Sequence, residues 1–500
     1  MTTDTAVSIP APELYIGGRW IAASETRPVI NPATEEVVAE APEGDLSHVE
    51  QALEAARDAQ RAWARRSYVD RAAVVKRIVA LINEQAEDLA RLVVAEQGKT
   101  ITEARGEIGG TAGFFEYYTS FARGQIGALY APDAPGEQIV SRLVPYGVVV
   151  GVIPWNYPAA LFARKVGPAI MAGNAIVLKP HEDTPMSSLA LARICEEAGV
   201  PPGVVNVVTG AGRLVGDALV RHPITQLVTV TGSVRAGREI LAASAENITV
   251  VSLELGGKAP FIVMADADVD AAVEAAAEAR FWNCGQVCTC NERTYVHAGV
   301  YDEFVEKFVS RAQSVRIGDP MRDETQMGPK VNRPEVDKVQ RYVDEAVRQG
   351  AEVVTGGGRP EGAEFERGYW FAPTVLTNVR NDWDIVQQEV FGPVLPVQSF
   401  GDFEEAVALA NETRYGLTSY IYTNDFRTAM RAADALHSGE VYINKIGPEQ
   451  LQGFHGGYGL SGLGGDDGPH GFERYHRRKT VYLKYDGVVE AAGSETLPPQ

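Results

Sequence analysis

The segment VVVGVIPWNYP, residues 148–158, decides the fold class. Its first six residues carry no polar side chain and are mostly β-branched, which is typical of a strand buried on both faces of a parallel sheet. Similar runs follow at residues 175–179, 204–208, 227–230 and 249–253. Helical segments of roughly ten to sixteen residues separate these runs. The alternation predicts an α/β fold built on a doubly wound parallel sheet.

Polar side chains follow several of these predicted strands. Because ligands of such sheets bind beyond the carboxyl ends of the strands, residues at these positions are candidates for a binding site. Each one alone has an ordinary explanation as a cap or turn residue, but their concentration at one sheet edge indicates a function. They are Asn156, Lys179, Glu182, Asp183, Thr231, Ser233 and Glu254.

The glycines near these strands do not form a standard nucleotide-binding fingerprint. Residues 210–216 contain one residue too many for GxGxxG, and the glycines at 232 and 237 are followed by Arg238-Glu239 instead of Lys-Ser/Thr. Backbone N–H groups at a helix start near Ser233 are still able to hold a pyrophosphate.

A second α/β unit is predicted after Pro260. Its strands are expected at 261–263, 352–355, 394–400, 419–422 and 441–443, and its helices at 301–315, 335–349 and 404–411. Upstream, apolar spacings of three and four predict helices over residues 46–123 that cover the first sheet. One strand, 138–143, is expected in the connection at 130–143.

Three of the four cysteines lie in FWNCGQVCTCNER, residues 281–293, just after a predicted helix at 268–280. Their spacing lacks the paired arrangement of a zinc site, so we expect no metal. Few cysteines and no signal peptide argue against a disulfide. We expect Cys284 and Cys290 to be small buried residues. Cys288 is the candidate nucleophile, since the carboxylate of Glu254 stands between leucines at a strand end upstream, although a surface position for Glu254 stays open.

Glu254 in Leu-Glu-Leu-Gly-Gly and Cys288 in Gly-Gln-Val-Cys together resemble the aldehyde dehydrogenase superfamily. The resemblance extends from about Leu14 to Tyr485. Residues 451–468, together with Cys288-Thr289-Cys290, are most similar to the lactaldehyde and glycolaldehyde dehydrogenase branch. Thr289 departs from that branch, which can carry asparagine at this position and use it in hydroxyl recognition.

The resemblance implies two doubly wound α/β domains with a small oligomerisation β-excursion. Residues 1–128 and 146–257 would form the NAD-binding domain, and 258–458 the catalytic domain that carries the thiol. Residues 129–145 and 459–486 would bridge subunits of a homo-oligomer, a dimer or tetramer, and 487–500 would be a tail. Because Cys288 and Glu254 then belong to different domains, the active site is expected in a cleft between them.

The resemblance also implies NAD-dependent oxidation of an aldehyde to the acid. Cys288 would attack the carbonyl to form a thiohemiacetal, and the Asn156 amide with the Cys288 backbone N–H would hold the oxyanion. Glu254 would act as the general base that hydrolyses the thioester; members that transfer the acyl group to coenzyme A typically lack this glutamate. Lys165 is a further catalytic candidate.

The cofactor is expected to be NAD. Lys179 and Glu182 match positions that bind the adenosine ribose, and Glu389 with Phe391 those at the nicotinamide end. Asp183 adds a second negative charge beside Glu182, which would repel a 2′-phosphate and favours NAD over NADP. The full set of expected cofactor-binding residues is Ile153, Pro154, Trp155, Lys179, Glu182, Gly212, Gly232, Ser233, Leu255, Glu389 and Phe391.

Leu161, Arg164, Thr289 and His455 are the expected substrate-binding residues. Arg164 and His455 stand at positions that are often apolar or aromatic in the family, which favours a small polar aldehyde such as lactaldehyde or glycolaldehyde. Two alternatives remain. Arg164 could bind the carboxylate of a semialdehyde, or the chain could be a catalytically silent binding protein on the same fold.

The charge and hydropathy of the chain limit its possible partners and location. The 500 residues carry a formal net charge of −20, which disfavours a nucleic-acid partner. No apolar run approaches the about 18 residues of a membrane span, and the first ten residues lack the basic start of a secretory signal. We therefore expect a cytoplasmic enzyme without a membrane partner.

Overall fold

A computed structural model of the chain describes residues 11–124 and 126–485. The predicted tail at 487–500 and the last residue of the predicted segment 459–486 lie outside the described residues. The strands are β1 Glu13–Ile16, β2 Arg19–Ala22, β3 Glu25–Ile30, β4 Val37–Glu43, β5 Gly127–Tyr130, β6 Glu137–Pro145, β7 Val148–Val152, β8 Ala175–Lys179, β9 Val205–Val207, β10 Leu227–Thr231, β11 Val250–Glu254, β12 Ala259–Val263, β13 Asn291–His297, β14 Glu352–Thr355, β15 Thr374–Thr377, β16 Val394–Phe400, β17 Thr418–Tyr422, β18 Glu440–Ile443, β19 Gly462–Leu463 and β20 His476–Lys484.

The helices alternate with these strands from β7 onwards. They are α1 Leu46–Ala64, α2 Tyr68–Glu84, α3 Ala86–Gln97, α4 Ile101–Thr119, α5 Pro158–Ala172, α6 Met186–Glu197, α7 Asp217–Arg221, α8 Val234–Ser244, α9 Val269–Phe281, α10 Tyr301–Gln313, α11 Arg333–Gln349, α12 Asp384–Gln387, α13 Phe403–Asn411, α14 Phe426–Ala435 and α15 Gly468–Glu473. Within the described part of the chain, none of them combines the length and the hydropathy needed to cross a bilayer.

The first large sheet contains all five strands predicted from the apolar runs. Its order is β19-β11-β10-β7-β8-β9-β1-β2, and the five strands from β11 to β9 are parallel. The edges differ from the prediction, because β19, β1 and β2 pair antiparallel. The sheet is therefore doubly wound and parallel at its centre and mixed at its edges.

Alternate residues of the central strands face opposite helical layers. Val148 and Val150 of β7 pack in the core that includes residues of α1, α7 and α8. Val149, between them, packs in the core formed with α2 to α6. Because both faces of the strand are covered by apolar cores, both faces carry valine. The sequence of the strand is therefore a continuous apolar run without alternation.

The second large sheet has the order β14-β15-β16-β13-β12-β17-β18 and is parallel except at β14. The prediction missed its central strand β13, which starts one residue after Cys290. Glu292 and Arg293, residue types that are mostly exposed, are both buried in this strand. The Arg293 guanidinium donates to the Lys258 carbonyl at 2.9 Å and to the Ala410 carbonyl at 2.7 Å.

Two smaller antiparallel sheets complete the structure, β20-β6-β5 and β3-β4. The three-stranded sheet contains the strand predicted within 138–143, extended to 137–145, and a neighbour at Gly127–Tyr130 that was not predicted. The domain boundaries proposed from the sequence stay a prediction.

Glu292 is the buried anion that joins β13 to the loop before β16. Its carboxylate accepts from the Lys258 ammonium at 2.7 Å and from the N–H groups of Val390 and Phe391 at 2.9 and 2.8 Å. Burial acts to raise the pKa of Glu292, but Lys258 and Arg280 outweigh burial and hold the pKa at about 2. The group therefore stabilises the fold as an anion, and this contribution disappears only as pH falls from the ordinary carboxyl range towards about 2.

We expect Glu292→Gln to lower the free energy of unfolding by about 3–5 kcal/mol, because it leaves the buried Lys258 ammonium without a counter-charge. Urea unfolding followed by tryptophan fluorescence measures the loss. The matched control is Glu404→Gln, which removes an exposed pair with Arg431 and should cost less than about 1 kcal/mol. Equal losses in the two variants would contradict the assignment.

Candidate active site

One cavity of about 620 Å³ lies between the carboxyl ends of β7, β10 and β11 in the first sheet and the segments that precede β13 and β16 in the second. It contains the nucleophile, base and oxyanion candidates Cys288, Glu254 and Asn156 among its lining residues. The other predicted site residues that line it are Pro154, Trp155, Leu161, Arg164, Gly232, Ser233, Leu255, Thr289, Glu389, Phe391 and His455. Sequence positions up to roughly 300 residues apart are thus brought together as expected.

The remaining predicted cofactor residues form a cluster beside the end of β8. The Gly212 N–H donates to Glu182 Oε1 at 2.6 Å, and the Lys179 ammonium lies 3.5 Å from the same oxygen. The Ile153 N–H donates to the Lys179 carbonyl at 3.2 Å. Burial acts to raise the pKa of Glu182, but Lys179 and His181 outweigh it and hold the pKa below its usual range.

Cys288 is presented by a turn in left-handed backbone conformation. After α9, Asn283 and Cys284 have φ values of 49° and 54°, and Gly285 has 70°. Such conformations are unfavourable for a residue with a side chain and persist only where contacts hold them. Here Glu103 accepts from the Asn283 N–H at 2.6 Å, and the Gln97 amide donates to the Asn283 side chain at 3.1 Å.

Gly256 and Gly257, which follow Glu254 and Leu255, let the chain pass close to Glu389 and Cys288. A side chain at Gly257 would collide with the Cys288 carbonyl oxygen, and one at Gly256 would collide with the Glu389 carboxylate. The Gly257 N–H also donates to Glu389 Oε1 at 2.8 Å. The Leu-Gly-Gly signature is therefore a requirement for close backbone packing between the base and the nucleophile segments.

Asn156 is held by a buried network that the sequence analysis missed. Its side-chain amide donates to the Gln286 carbonyl at 3.0 Å, and its own carbonyl accepts from the Lys99 ammonium at 2.9 Å. Lys99 pairs with Glu107 at 2.6 Å, and Glu107 also accepts from the N–H groups of Ala159 and Ala160 at the start of α5. The partners lie tens of residues apart in the sequence, so no local pattern marks them.

Glu254 is a buried carboxyl group poised at the cavity. It is 3% exposed, and neither of its oxygens has a hydrogen-bond partner. Burial raises the pKa of Glu254 to about 8, an effect that His455 partly opposes. A carboxyl group with this pKa can exchange protons near neutral pH, as a general base must.

His455 lies beside the base. Its Nε2 is 3.5 Å from Glu254 Oε2, and both residues line the cavity together with Cys288. Its Nδ1 is 3.2 Å from Glu440 Oε1. Burial and Arg164 act to lower the pKa of His455, but Glu449, Cys288 and Glu440 outweigh them and raise the pKa well above its ordinary value.

Arg164 and Lys165 lie on α5, which is buried along its whole length and is apolar apart from them. Polar groups on such a helix need partners. The Arg164 guanidinium binds Asp467 with Nε at 3.1 Å and Glu449 with Nη2 at 2.5 Å. The Lys165 ammonium binds Asp466 at 2.5 Å. Lys165, predicted to be catalytic, is not among the residues that line the cavity, whereas Glu449, which the prediction missed, is.

The cavity is also lined by the residues predicted for the nicotinamide end of the cofactor. The rings of Trp155 and Phe391 meet edge to face with centroids 5.4 Å apart. Burial and the nearby Glu292 raise the pKa of Glu389 to about 7. Lys338, 5.7 Å from the Phe391 ring, lines the cavity as well, although no feature of the sequence singled it out.

We expect brief treatment of the folded protein with iodoacetamide to modify Cys288 alone. Cys195, Cys284 and Cys290 are buried, and burial raises the pKa of each thiol to about 12, so their reactive thiolates are scarce. Peptide mass spectrometry before and after urea denaturation identifies the modified sites. Modification of Cys284 or Cys290 at the same rate as Cys288 would contradict the packing described.

Comparisons with known proteins agree with this geometry. Residues 20–481 match the Aldehyde dehydrogenase family. A 3,6-anhydro-alpha-L-galactose dehydrogenase of Streptomyces coelicolor is 56% identical over 477 residues, which is 95% of this chain and 97% of that protein. A lactaldehyde dehydrogenase of Escherichia coli is 43% identical over 482 residues, 96% and 100% of the two chains.

A solved structure gives the same result. The 3,6-anhydro-L-galactose dehydrogenase in complex with NAP superposes with a TM-score of 0.92 and 48% sequence identity, covering 94% of this chain and 99% of that one. The predicted fold class and the prediction of an oxidoreductase are confirmed, and the lactaldehyde dehydrogenase branch is among the relatives. With a family match over most of its length and relatives of this identity, the chain belongs to the aldehyde dehydrogenase family.

Proposed function

We propose that this chain oxidises an uncharged, hydroxylated aldehyde to the carboxylic acid with NAD as hydride acceptor. The observation that supports the proposal is that one cavity is lined both by Cys288, Glu254 and Asn156 and by the charged pair Arg164 and Glu449. Two relatives are named for 3,6-anhydro-galactose and for lactaldehyde. Aldehydes of these types, and glycolaldehyde, are the proposed substrates.

The chain offers a consistent place for the dinucleotide. The Thr231 hydroxyl is buried without a hydrogen-bond partner, and it lines the cavity beside Gly232 and Ser233 at the start of α8. N–H groups at such a helix start suit a pyrophosphate. Lys179 and Glu182 would bind the adenosine ribose, and Glu389 would hold the nicotinamide ribose. When bound, the nicotinamide ring accepts the hydride.

The residues of the chain would carry the other steps. The Cys288 sulfur attacks the aldehyde carbon, and the resulting oxyanion binds the Asn156 amide, which has a second N–H besides the one given to Gln286. Loss of hydride leaves a thioester on Cys288. Glu254 then removes a proton from water, the water oxygen attacks the thioester carbon, and the acid leaves as the sulfur regains its electron pair.

The charges at the polar end favour a neutral substrate. Arg164 is already bound by two carboxylates, Asp467 and Glu449, so its charge is compensated. Burial acts to raise the pKa of Glu449, but Arg164 and His455 hold it at about 2. Glu449 is thus an ionised acceptor for substrate hydroxyl groups. The semialdehyde alternative loses support, because the Arg164 guanidinium is already paired with Asp467 and Glu449 and is not free to bind the carboxylate of a substrate.

NAD is proposed over NADP because Glu182 and Asp183 place two carboxylates near the adenosine ribose. Asp183 accepts from the Asn332 amide at 2.7 Å, which fixes its position. Because the solved 3,6-anhydro-L-galactose dehydrogenase is a complex with NAP, NAD and NADP are to be compared directly as hydride acceptors of this chain.

Assembly and location are proposed on separate grounds. β20 lies at the edge of the three-stranded sheet and exposes Tyr482, and Leu129 is exposed on β5. These apolar side chains support the proposed dimer or tetramer, formed through residues 129–145 and 459–486.

The four free thiols support a reducing compartment, the cytoplasm. The two-domain division given by the sequence analysis is also kept as a proposal.

A substrate panel tests this function. We expect kcat/KM for 3,6-anhydro-L-galactose, lactaldehyde or glycolaldehyde to exceed that for hexanal and succinic semialdehyde by at least about tenfold, because one hydrogen bond to a charged group contributes that much. NAD should outperform NADP, and Cys288→Ala should form no NADH. Glu449→Gln should lower kcat/KM for the hydroxylated aldehyde but not for hexanal. A preference for hexanal or the semialdehyde would overturn the proposal.

For Glu254→Gln we expect one equivalent of NADH per active site and then a stall, because the thioester forms but water is not activated. Stopped-flow absorbance measures the burst and the steady state. In the wild type, the pKa of about 8 means that Glu254 is protonated below that pH, so hydrolysis should accelerate as pH rises through it. Glu274→Gln, on an exposed residue paired with Arg311, is the control. Undiminished steady turnover by Glu254→Gln would exclude the role.

A further inference from the structure

Asn283 joins the segment of the oxyanion candidate to the segment of the nucleophile. Its side-chain amide donates to the Asn156 carbonyl at 3.1 Å and to the Gln286 carbonyl at 3.4 Å. Asn156 follows β7 of the first sheet, and Gln286 lies two residues before Cys288. Asn283 is not among the residues that line the cavity. Any effect of its side chain on the reaction therefore passes through these partners.

The Asn156 side chain closes the same junction from the other side. Its amide donates at 3.0 Å to the Gln286 carbonyl, the oxygen that Asn283 also approaches. The Asn156 carbonyl accepts from the Lys99 ammonium at 2.9 Å as well as from Asn283, and two donors occupy both lone pairs of a carbonyl oxygen. The main chain and the side chain of Asn156 are thus both tied to the residues before Cys288.

The orientation of the Asn283 amide is decided by its third partner. The Gln97 amide, at the end of α3, donates to Asn283 Oδ1 at 3.1 Å. Gln97 is itself oriented, since its Oε1 accepts from the Lys99 N–H at 2.9 Å. These contacts turn the N–H groups of Asn283 towards the two carbonyl oxygens. A reversed amide would place Oδ1 against those oxygens and leave buried polar groups without compatible partners.

The backbone of Asn283 separates the role of its side chain from that of the turn. Its φ of 49° lies in the left-handed region, which asparagine adopts more readily than most residues. Glu103 accepts from its N–H, and its carbonyl accepts from the Gln286 N–H and the Gln286 side-chain amide, each at 3.0 Å. Glycine would adopt this conformation without strain and keep these main-chain contacts. It would remove only the bridge.

We infer that Asn283 is a positioning residue of aldehyde oxidation, which holds the Asn156 amide beside Cys288 so that both act on the same carbonyl group. This role rests on the proposed oxyanion function of Asn156 and adds how that donor is kept near the nucleophile. The step concerned is attack by the Cys288 sulfur, in which the carbon–sulfur bond forms as the carbonyl electron pair moves to oxygen. A displacement of about 1 Å in such a site costs on the order of a hundredfold in rate.

Two reactions of Cys288 distinguish this role from general support of the loop. Attack on an aldehyde builds negative charge on oxygen, which the Asn156 amide must stabilise. Alkylation by iodoacetamide displaces iodide from carbon and needs no oxyanion donor. A misplaced Asn156 amide should therefore slow only the first reaction, whereas a collapsed nucleophile loop would change both.

Stopped-flow absorbance measures the NADH burst of the full-length enzyme at saturating NAD, with the panel aldehyde that the wild type oxidises fastest. We expect Asn283→Gly to lower the burst rate constant by about ten- to a hundredfold. KM should stay nearly unchanged, because the lost interaction acts in the transition state. Alkylation of Cys288, followed by peptide mass spectrometry, should keep its wild-type rate. Asn283→Ala should give the same result and guards against loosening of the turn by glycine.

A double-mutant cycle with Asn156→Ala shows whether Asn283 acts through the oxyanion donor. Once the Asn156 amide is absent its position no longer matters, so Asn283→Gly should have little further effect on the burst in that background. Asn378→Gly is the matched control. Asn378 is an exposed asparagine with a φ of 52° whose amide donates to the Gly350 carbonyl, and its replacement should leave the burst and alkylation unchanged.

Wild-type burst rates in the folded Asn283→Gly and Asn283→Ala variants would overturn the inference. So would equal losses in the wild-type and Asn156→Ala backgrounds, or parallel losses of burst and alkylation, because Asn283 would then support the loop as a whole. A wild-type burst in Asn156→Ala would contradict the oxyanion function, and no burst with any panel aldehyde would contradict the proposed function. Both of these outcomes are seen without an Asn283 variant and would remove the inference with them.

Discussion

The contact between Gly257 and the Cys288 carbonyl is the constraint on which the active site depends. Four residues connect the end of β11 to the start of β12, and they must place a carboxylate of one sheet beside a thiol of the other. Any side chain at Gly257 would meet the backbone of Cys288. The close approach of the β11–β12 connection to the Cys288 segment therefore requires that Gly257 carry no side chain.

The buried cations of α5 are paired, and the pairs have a common arrangement. Each joins α5 to a residue roughly 300 positions further along the chain: Lys165 to Asp466, and Arg164 to Asp467 and Glu449. Isolated buried ions would be costly, and pairs contribute little net stability. Their effect is to fix geometry, because only one relative placement of the two segments satisfies both partners.

The sequence was sufficient for the centre of the first sheet and for the family. Continuous apolar runs marked β7, β8, β9, β10 and β11 because a strand buried on both faces needs no polar residue. Four of the polar residues that follow these strands, Asn156, Thr231, Ser233 and Glu254, line the cavity. β13 escaped because its buried Glu292 and Arg293 look like surface residues until their partners are known. Lys99 escaped for a related reason: its contact with Asn156 spans 57 positions of the chain and leaves no local pattern.

The left-handed turn at Asn283 and Cys284 has a consequence for how the enzyme tolerates change. Since the turn is held from α4 by Glu103, the sulfur that performs the chemistry inherits its position from a helix far upstream in the chain. We therefore expect substitutions in α4 to change the reactivity of the Cys288 thiol before they unfold the protein. We therefore expect an exchange of the nucleophile loop between homologous enzymes to preserve reactivity better when α4 is exchanged with it.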